Sequence, residues 1–247
     1  MLTLTEAANE LKLSYIKEHH ETILREMTHR KLTLDEALTE LLTTEVEHRR
    51  GRSHQRRIHD AKFQQKKYLS DFDDTVFDTS VRQQLRELKT LEFIKQKENA
   101  ILIGNPGTGK THYSIGIGIE ACLQGYSVLF MNAPNLVIQM KEAVTQSQFV
   151  RFKRRFDKVD LVIVDELGYL SFDEGGAELL FNLLSNRTTK GSIMITTNLT
   201  FDRWEECFKD PTLTGAIVDR LAYKAQVVDM RGESYRIKKT AQWLQGG

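Results

Sequence analysis

"ILIGNPGTGKTHYSIGIG", residues 101–118, is the stretch whose reading decides the fold. An apolar run leads into Gly104-Asn105-Pro106-Gly107-Thr108-Gly109-Lys110-Thr111, which satisfies G-x-x-x-x-G-K-[ST] in full. Glycines let successive backbone N–H groups turn inward, and the helix that follows adds the positive end of its dipole. Residues 104–112, from Gly104 to His112, are therefore the expected nucleotide-binding segment. Within it Lys110 is expected to reach the β- and γ-phosphates of ATP, and the Thr111 hydroxyl to ligate Mg²⁺.

Outward from this loop, five short apolar or β-branched runs recur: Ala100–Ile103, Ser127–Met131, Leu161–Val164, Ser192–Thr197 and Gln226–Asp229. Runs of this length, unbroken by polar alternation, are expected of strands buried on both faces. Helical patterns separate them at His112–Gln124, Asn135–Val144, Gly175–Asn186 and Asp202–Phe208, and a further helix is expected over Ser80–Lys97. The alternation predicts an α/β domain with a five-stranded parallel sheet flanked by helices, and with ligands beyond the carboxyl ends of the strands.

Two of those strand ends carry polar groups suited to the loop. Asp160-Leu-Val-Ile-Val-Asp165-Glu166 puts two acids at one strand tip. Adjacent carboxylates there are costly without a cation. Asp165 is thus expected to hold Mg²⁺, and Glu166 to polarise an attacking water. Ser192–Thr197 ends in Asn198, placed to contact the γ-phosphate or the water.

The chain before residue 70 reads differently. Thr3-Leu-Thr-Glu6 and Thr33-Leu-Asp-Glu36 have capping-box spacing. Leu34, Ala37, Leu38, Leu41 and Leu42 fall on one helical stripe. A small all-helical domain over 1–69 is expected, with Gly51 a possible interruption, then an aspartate-rich linker near 70–79 and an ATPase domain over 70–247. Residues 1–47 carry ten acidic and five basic side chains, whereas residues 48–69 carry eight Lys or Arg against one Asp.

Net charge is +1 over 247 residues, so only its distribution speaks to nucleic acid. Two basic segments are candidate phosphate readers: Arg49, Arg50, Arg52, Arg56, Arg57 and Lys62 with Lys66 and Lys67, and Arg151, Lys153, Arg154 and Arg155. On a helix, 49, 52, 56 and 57 would share a face, as would 62 and 66. Phe152 and Phe156, four residues apart, are expected in the core rather than stacked on bases. The remaining composition excludes more than it adds. The two cysteines lack metal spacing and suit a reducing cytoplasm. No apolar run approaches a membrane span, the N-terminus has no secretory pattern, and the seven histidines show no ligand spacing.

Four stretches together resemble the IstB family of transposition ATPases and, at more distance, the DnaC and DnaI helicase loaders, all of the AAA+ class. They are "LEFIKQKENAILIGNPGTGKTH", "DLVIVDELGYLSFD", "GSIMITTNLTFDRW" and "IVDRLAYKAQVVDMRGESYR". The resemblance implies that Asn198 serves as sensor 1 and Arg220 as an arginine finger completing a neighbouring subunit's site, with Arg187 and Arg236 as alternatives. It also implies homo-oligomers sharing ATP sites, sequence-tolerant binding of duplex DNA, and a partner transposase of the IstA type. About 18 residues follow Asp229, so the helical lid of a full AAA+ module is not expected here. Two readings compete with this one: a helicase loader favouring single strands, and a module that uses nucleotide only as a switch.

Overall fold

The structure, a computed structural model, describes residues 2–187, 189–232 and 234. It divides into two compact units, Met1–Arg56 and Arg57–Gly247.

In the first unit lie α1 (Leu4–Glu10), α2 (Ser14–His29) and most of α3 (Leu34–Asp60). Thr3 and Glu6 close the expected capping box on α1, and Thr33 and Glu36 exchange the same bonds at α3. Gly51 does not interrupt α3. The start of α2 lacks a local cap. Instead the buried Glu45 of α3 accepts the N–H groups of Tyr15 and Ile16 at 2.9 and 3.0 Å, satisfying two orphan donors of the first turn. Ala8, Ile16, Met27 and Leu41 form the small core. Of the stripe read from the sequence, only Leu41 is buried and Ala37 packs beside it; Leu34, Leu38 and Leu42 are exposed.

In the second unit β1 (Asn99–Ile103), β2 (Val128–Asn132), β3 (Leu161–Leu167), β4 (Ser192–Thr197) and β5 (Ala225–Asp229) form one parallel sheet in the order β2-β3-β4-β1-β5. All five lie where the apolar runs predicted them. The period-two alternation sorts their side chains onto two cores. Ile101, Ile103, Val162, Val164, Ile193 and Ile195 face α7 (Ala133–Thr145), α8 (Phe149–Lys158), α9 (Glu174–Ser185), α10 (Glu205–Phe208) and α11 (Pro211–Ala222). Ala100, Leu102, Leu161, Ile163 and Met194 face α4 (Thr79–Lys89), α5 (Glu92–Lys95) and α6 (Lys110–Leu123). Cys122 and Cys207 are both buried, and burial pushes each thiol up to about 12.

Four sequence expectations are corrected here. The single helix over 80–97 is two, broken at Leu91, whose φ is 60°. A left-handed leucine costs roughly 1–2 kcal/mol, offset by burying Leu91, Phe93 and Ile94 at roughly 1.5–3 kcal/mol each. Helix α11 adds to the expected helices: Pro211 sits at its start behind the capping carboxylate of Asp210. The stretch at 70–79 is not a free linker. Phe72 and Phe77 stack on each other, and Phe72 meets His112 and Tyr113 edge-on. Finally, α3 ends at Asp60 and Lys62 has φ 63°, so Lys62 and Lys66 share no helical face.

Arg187, one of the alternative fingers, is wholly buried. Its guanidinium donates to the carbonyls of Phe156 (2.5 Å), Val159 (2.7 Å) and Ser192 (3.3 Å). Burial brings its pKa down to about 10, so it remains charged at neutral pH. It fastens the C-terminal end of α8 to β4 and is spent inside its own subunit. Replacing Arg187 with Met strands three buried carbonyls and is expected to lower stability by about 2–5 kcal/mol, read as a reduced urea midpoint. Arg236 lies outside the described residues, as does any lid beyond β5.

Candidate nucleotide site

The loop between β1 and α6 is held open by two left-handed glycines, Gly107 at φ 87° and Gly109 at φ 96°. Gly109 is also the N-cap of α6 and offers no side chain to it. The first N–H groups of that helix are therefore uncapped and available to an anion. A Cβ on Gly109 would stand 2.8 Å from the ring of Phe72, so glycine is required there on two counts. Lys110 folds back over the loop and donates to the carbonyls of Gly104 (2.7 Å) and Asn105 (2.8 Å). Thr108 donates to the Asn105 carbonyl, and Asn105 reaches the Gly232 carbonyl beyond β5 at 3.4 Å. The imidazole Nε2 of His112 sits 2.9 Å from the Tyr68 carbonyl, so its ring is engaged with the segment before α4 rather than presented to the loop. Pro106 turns the exposed tip.

The acid pair of β3 meets this loop across β4. Thr111 Oγ1 lies 2.9 and 3.1 Å from the two carboxylate oxygens of Asp165. The register between β3 and β4 shifts between Val164 and Leu167: Val164 stands opposite Ile195, but Leu167 opposite Thr197. Asp165 and Glu166 thus share a single partner, Thr196, in a bulge. The Thr196 hydroxyl donates to Asp165 Oδ1 at 2.5 Å and accepts the Glu166 N–H at 2.9 Å. The bulge puts Glu166 at φ 61° and turns its carboxylate outward, where Asn132 Nδ2 holds Oε2 at 2.5 Å. Burial raises the pKa of the Asp165 carboxyl, and the nearby Glu166 adds to this, while the Thr196 and Thr111 hydroxyls and Lys110 pull it back. An acid held this way favours a cation beside it.

Sequence reasoning missed Thr196 and Asn132. Asn132 ends β2 and Thr196 is the last residue but one of β4, the two strands that flank β3. Replacing Thr196 with Val removes the hydroxyl that both acids use. Turnover is expected to fall by roughly 10–100-fold with the melting temperature nearly unchanged, and Thr196→Ser should restore it.

The remaining predicted residues are dispersed. Asn198 follows β4 and is half-buried. Arg220 is exposed on α11, with its guanidinium 4.8 Å above the Phe181 ring. Arg49, Arg50, Arg52 and Arg56 lie in the first unit. Two of these are partly used inside it: Arg49 donates to the Lys12 carbonyl (2.8 Å) and Arg52 to the Ser14 hydroxyl. Arg57, Lys62 and the α8 residues lie in the second unit. There α8 buries Phe156 and half-buries Phe152, leaving Arg151, Arg154 and Arg155 exposed and Lys153 half-buried.

The glycine-capped loop, the five-strand order and the acid-tipped third strand are those of the AAA+ class of P-loop proteins, and solved structures agree. The chain superposes on DnaA from Aquifex aeolicus bound to AMPPCP with a TM-score of 0.57 and 21% identity, over 73% of this chain and 55% of that one. On the DnaC helicase loader the values are 0.56 and 14%, over 66% and 96%. Nearer in sequence are two insertion-sequence proteins. The IS5376 ATP-binding protein of Geobacillus stearothermophilus is 34% identical over 95% of this chain and 93% of its own length. The IS21 ATP-binding protein of Pseudomonas aeruginosa is 35% identical over 94% and 87%. The family model for the IstB-like ATP binding protein matches residues 6–243, and with the loop and acid pair in place the chain belongs to that family.

Proposed function

We propose that this chain is an ATPase that regulates transposition, assembling on duplex DNA with ATP and handing the target to a partner transposase in the cytoplasm. The observation that carries the reading is the meeting of Thr111 with Asp165 behind a glycine-capped helix start. An all-oxygen pair at an anion-binding helix end suits Mg²⁺ held jointly with phosphates. No group of three or more His, Cys, Asp or Glu that could hold a metal occurs among the described residues. When bound, Mg²⁺ with ATP supplies the charge neutralisation that phosphoryl transfer needs.

The chain's own residues do the rest. Lys110 exchanges its two loop carbonyls for phosphate oxygens. Glu166, released from Asn132, accepts a proton from water, while Asn198 at the next strand end orients that water or the terminal phosphate. Arg220, on an exposed helix face, completes the site of an adjoining subunit. Duplex DNA is contacted by Arg151, Arg154 and Arg155 with the basic stretch from Arg49 to Lys62, through phosphates and so with little regard to sequence.

The helicase-loader alternative shares the fold, but its supporting likeness stands at 14% and 19% identity. The insertion-sequence relatives stand at 34% and 35%, which favours transposition. The test is ATP hydrolysis and sedimentation with no DNA, duplex or single strands. Duplex should stimulate turnover and produce oligomers that persist with a non-hydrolysable analogue. Stimulation by single strands alone would transfer the chain to the loader class.

A further inference from the structure

Beside the edge strand β2 lies a cavity of about 350 Å³, which shares Asn132 with the nucleotide site. Its volume falls in the range of roughly 300–1,000 Å³ typical of small-ligand sites. The floor is apolar, with Phe156 buried and Phe152 half-buried along one wall. The lining also carries two cations, Lys62 and Arg155, and the amides of Gln64, Asn132, Asn135 and Gln139; among the described residues no carboxylate lines it. In a chain with 34 acidic residues that exclusion matters. Lys62 has φ 63°, and the carbonyl of the preceding residue, the buried Ala61, accepts the Phe130 N–H at 2.8 Å. The backbone that brings this lysine to the rim is thus pinned to the sheet.

We propose that this cavity binds a single nucleotide, phosphate at Lys62 and Arg155, base against Phe152 and read by the amides. The inference rests on the DNA-binding reading above and deepens it. Arginine and lysine suit a phosphate, asparagine and glutamine hydrogen-bond base edges, and an aromatic wall stacks any base. A base within an intact duplex cannot enter a concave site of this size and must leave the stack. The occupant is therefore an unpaired or extruded nucleotide of a DNA strand, or else a free nucleotide of the same chemistry.

The experiment compares a fully paired duplex with one carrying a single bulged 2-aminopurine nucleotide, both binding the full-length chain with ATP analogue. The bulged duplex should bind roughly 5–100-fold more tightly, the worth of one stacked base, and its fluorescence should change on binding. Asn135→Ala with Gln139→Ala, both at exposed positions of α7, should abolish that preference and leave the paired duplex unaffected. A second arm titrates deoxynucleoside monophosphate into a Lys110→Ala chain, whose P-loop is disabled. Binding there that is lost with the same alanines, without a bulge preference, assigns the cavity to free nucleotide. Equal binding of both duplexes with no monophosphate binding overturns the proposal while the DNA reading stands. If neither duplex binds, the DNA reading fails and the monophosphate arm alone decides. Displacement of the bulged strand by an oligoglutamate peptide at equal concentration would assign the site to acidic protein and overturn it as well.

Discussion

Replacing Glu166 with Gln will lower ATP turnover by roughly 10²–10⁴-fold, the range lost when a positioned general base is removed. Nucleotide affinity should hardly change, because Glu166 stands on β3, outside the glycine loop, and is bonded to Asn132 and Thr196. The glutamine keeps the side-chain length, and its amide oxygen can still accept from Asn132. Loss of rate with retained binding separates a proton acceptor from a residue that only shapes the pocket. DNA-bound assemblies of the variant should persist far longer than those of the wild type, visible in dissociation after ATP is withdrawn. A variant that binds nucleotide poorly, or that turns over within about tenfold of wild type, would remove Glu166 from the chemistry.

A second large effect is expected at Arg220. In the isolated chain its guanidinium rests on Phe181 and takes no part in the site of its own loop. If it finishes the pocket of an adjoining subunit, Arg220→Ala will cost roughly 10³–10⁵ in turnover, as with other arginine fingers. The loss should appear only at protein concentrations where the wild type assembles. Mixing supplies the decisive control. Arg220→Ala subunits keep an intact P-loop, and Lys110→Ala subunits keep an intact arginine. Each is inactive alone, but together they should recover measurable hydrolysis at the interfaces that pair the sound halves. A mixture that stays inactive while forming oligomers would place the arginine elsewhere.

The sheet and the phosphate loop were legible because their signals are local. A buried parallel strand advertises itself by an unbroken apolar run, and a P-loop by glycines at fixed offsets. What escaped depends on contacts distant in sequence. Leu91 breaks a helix only because Phe93 and Ile94 find a core to fill. Arg187 stood among the alternative fingers because nothing beside it in the chain reveals the carbonyls of Phe156 and Val159, which come to it from 31 and 28 residues away. Thr196 reads as one more β-branched strand residue until the bulge places two acids against it. Asn132 falls between the strand read to Met131 and the helix read from Asn135, and proves to be both the end of β2 and the N-cap of α7. The finer arrangement of the site is therefore a property of strand register, which composition cannot convey.

The interior placement of both sulfurs has a practical consequence. Thiolate is the reactive species, and with Cys122 and Cys207 sealed in the core and pushed up to about 12, maleimide should ignore the intact protein. A cysteine introduced at an exposed position such as Tyr169 can then carry the sole fluorophore without first stripping the native pair, and any labelling of the wild-type chain becomes a direct readout of unfolding.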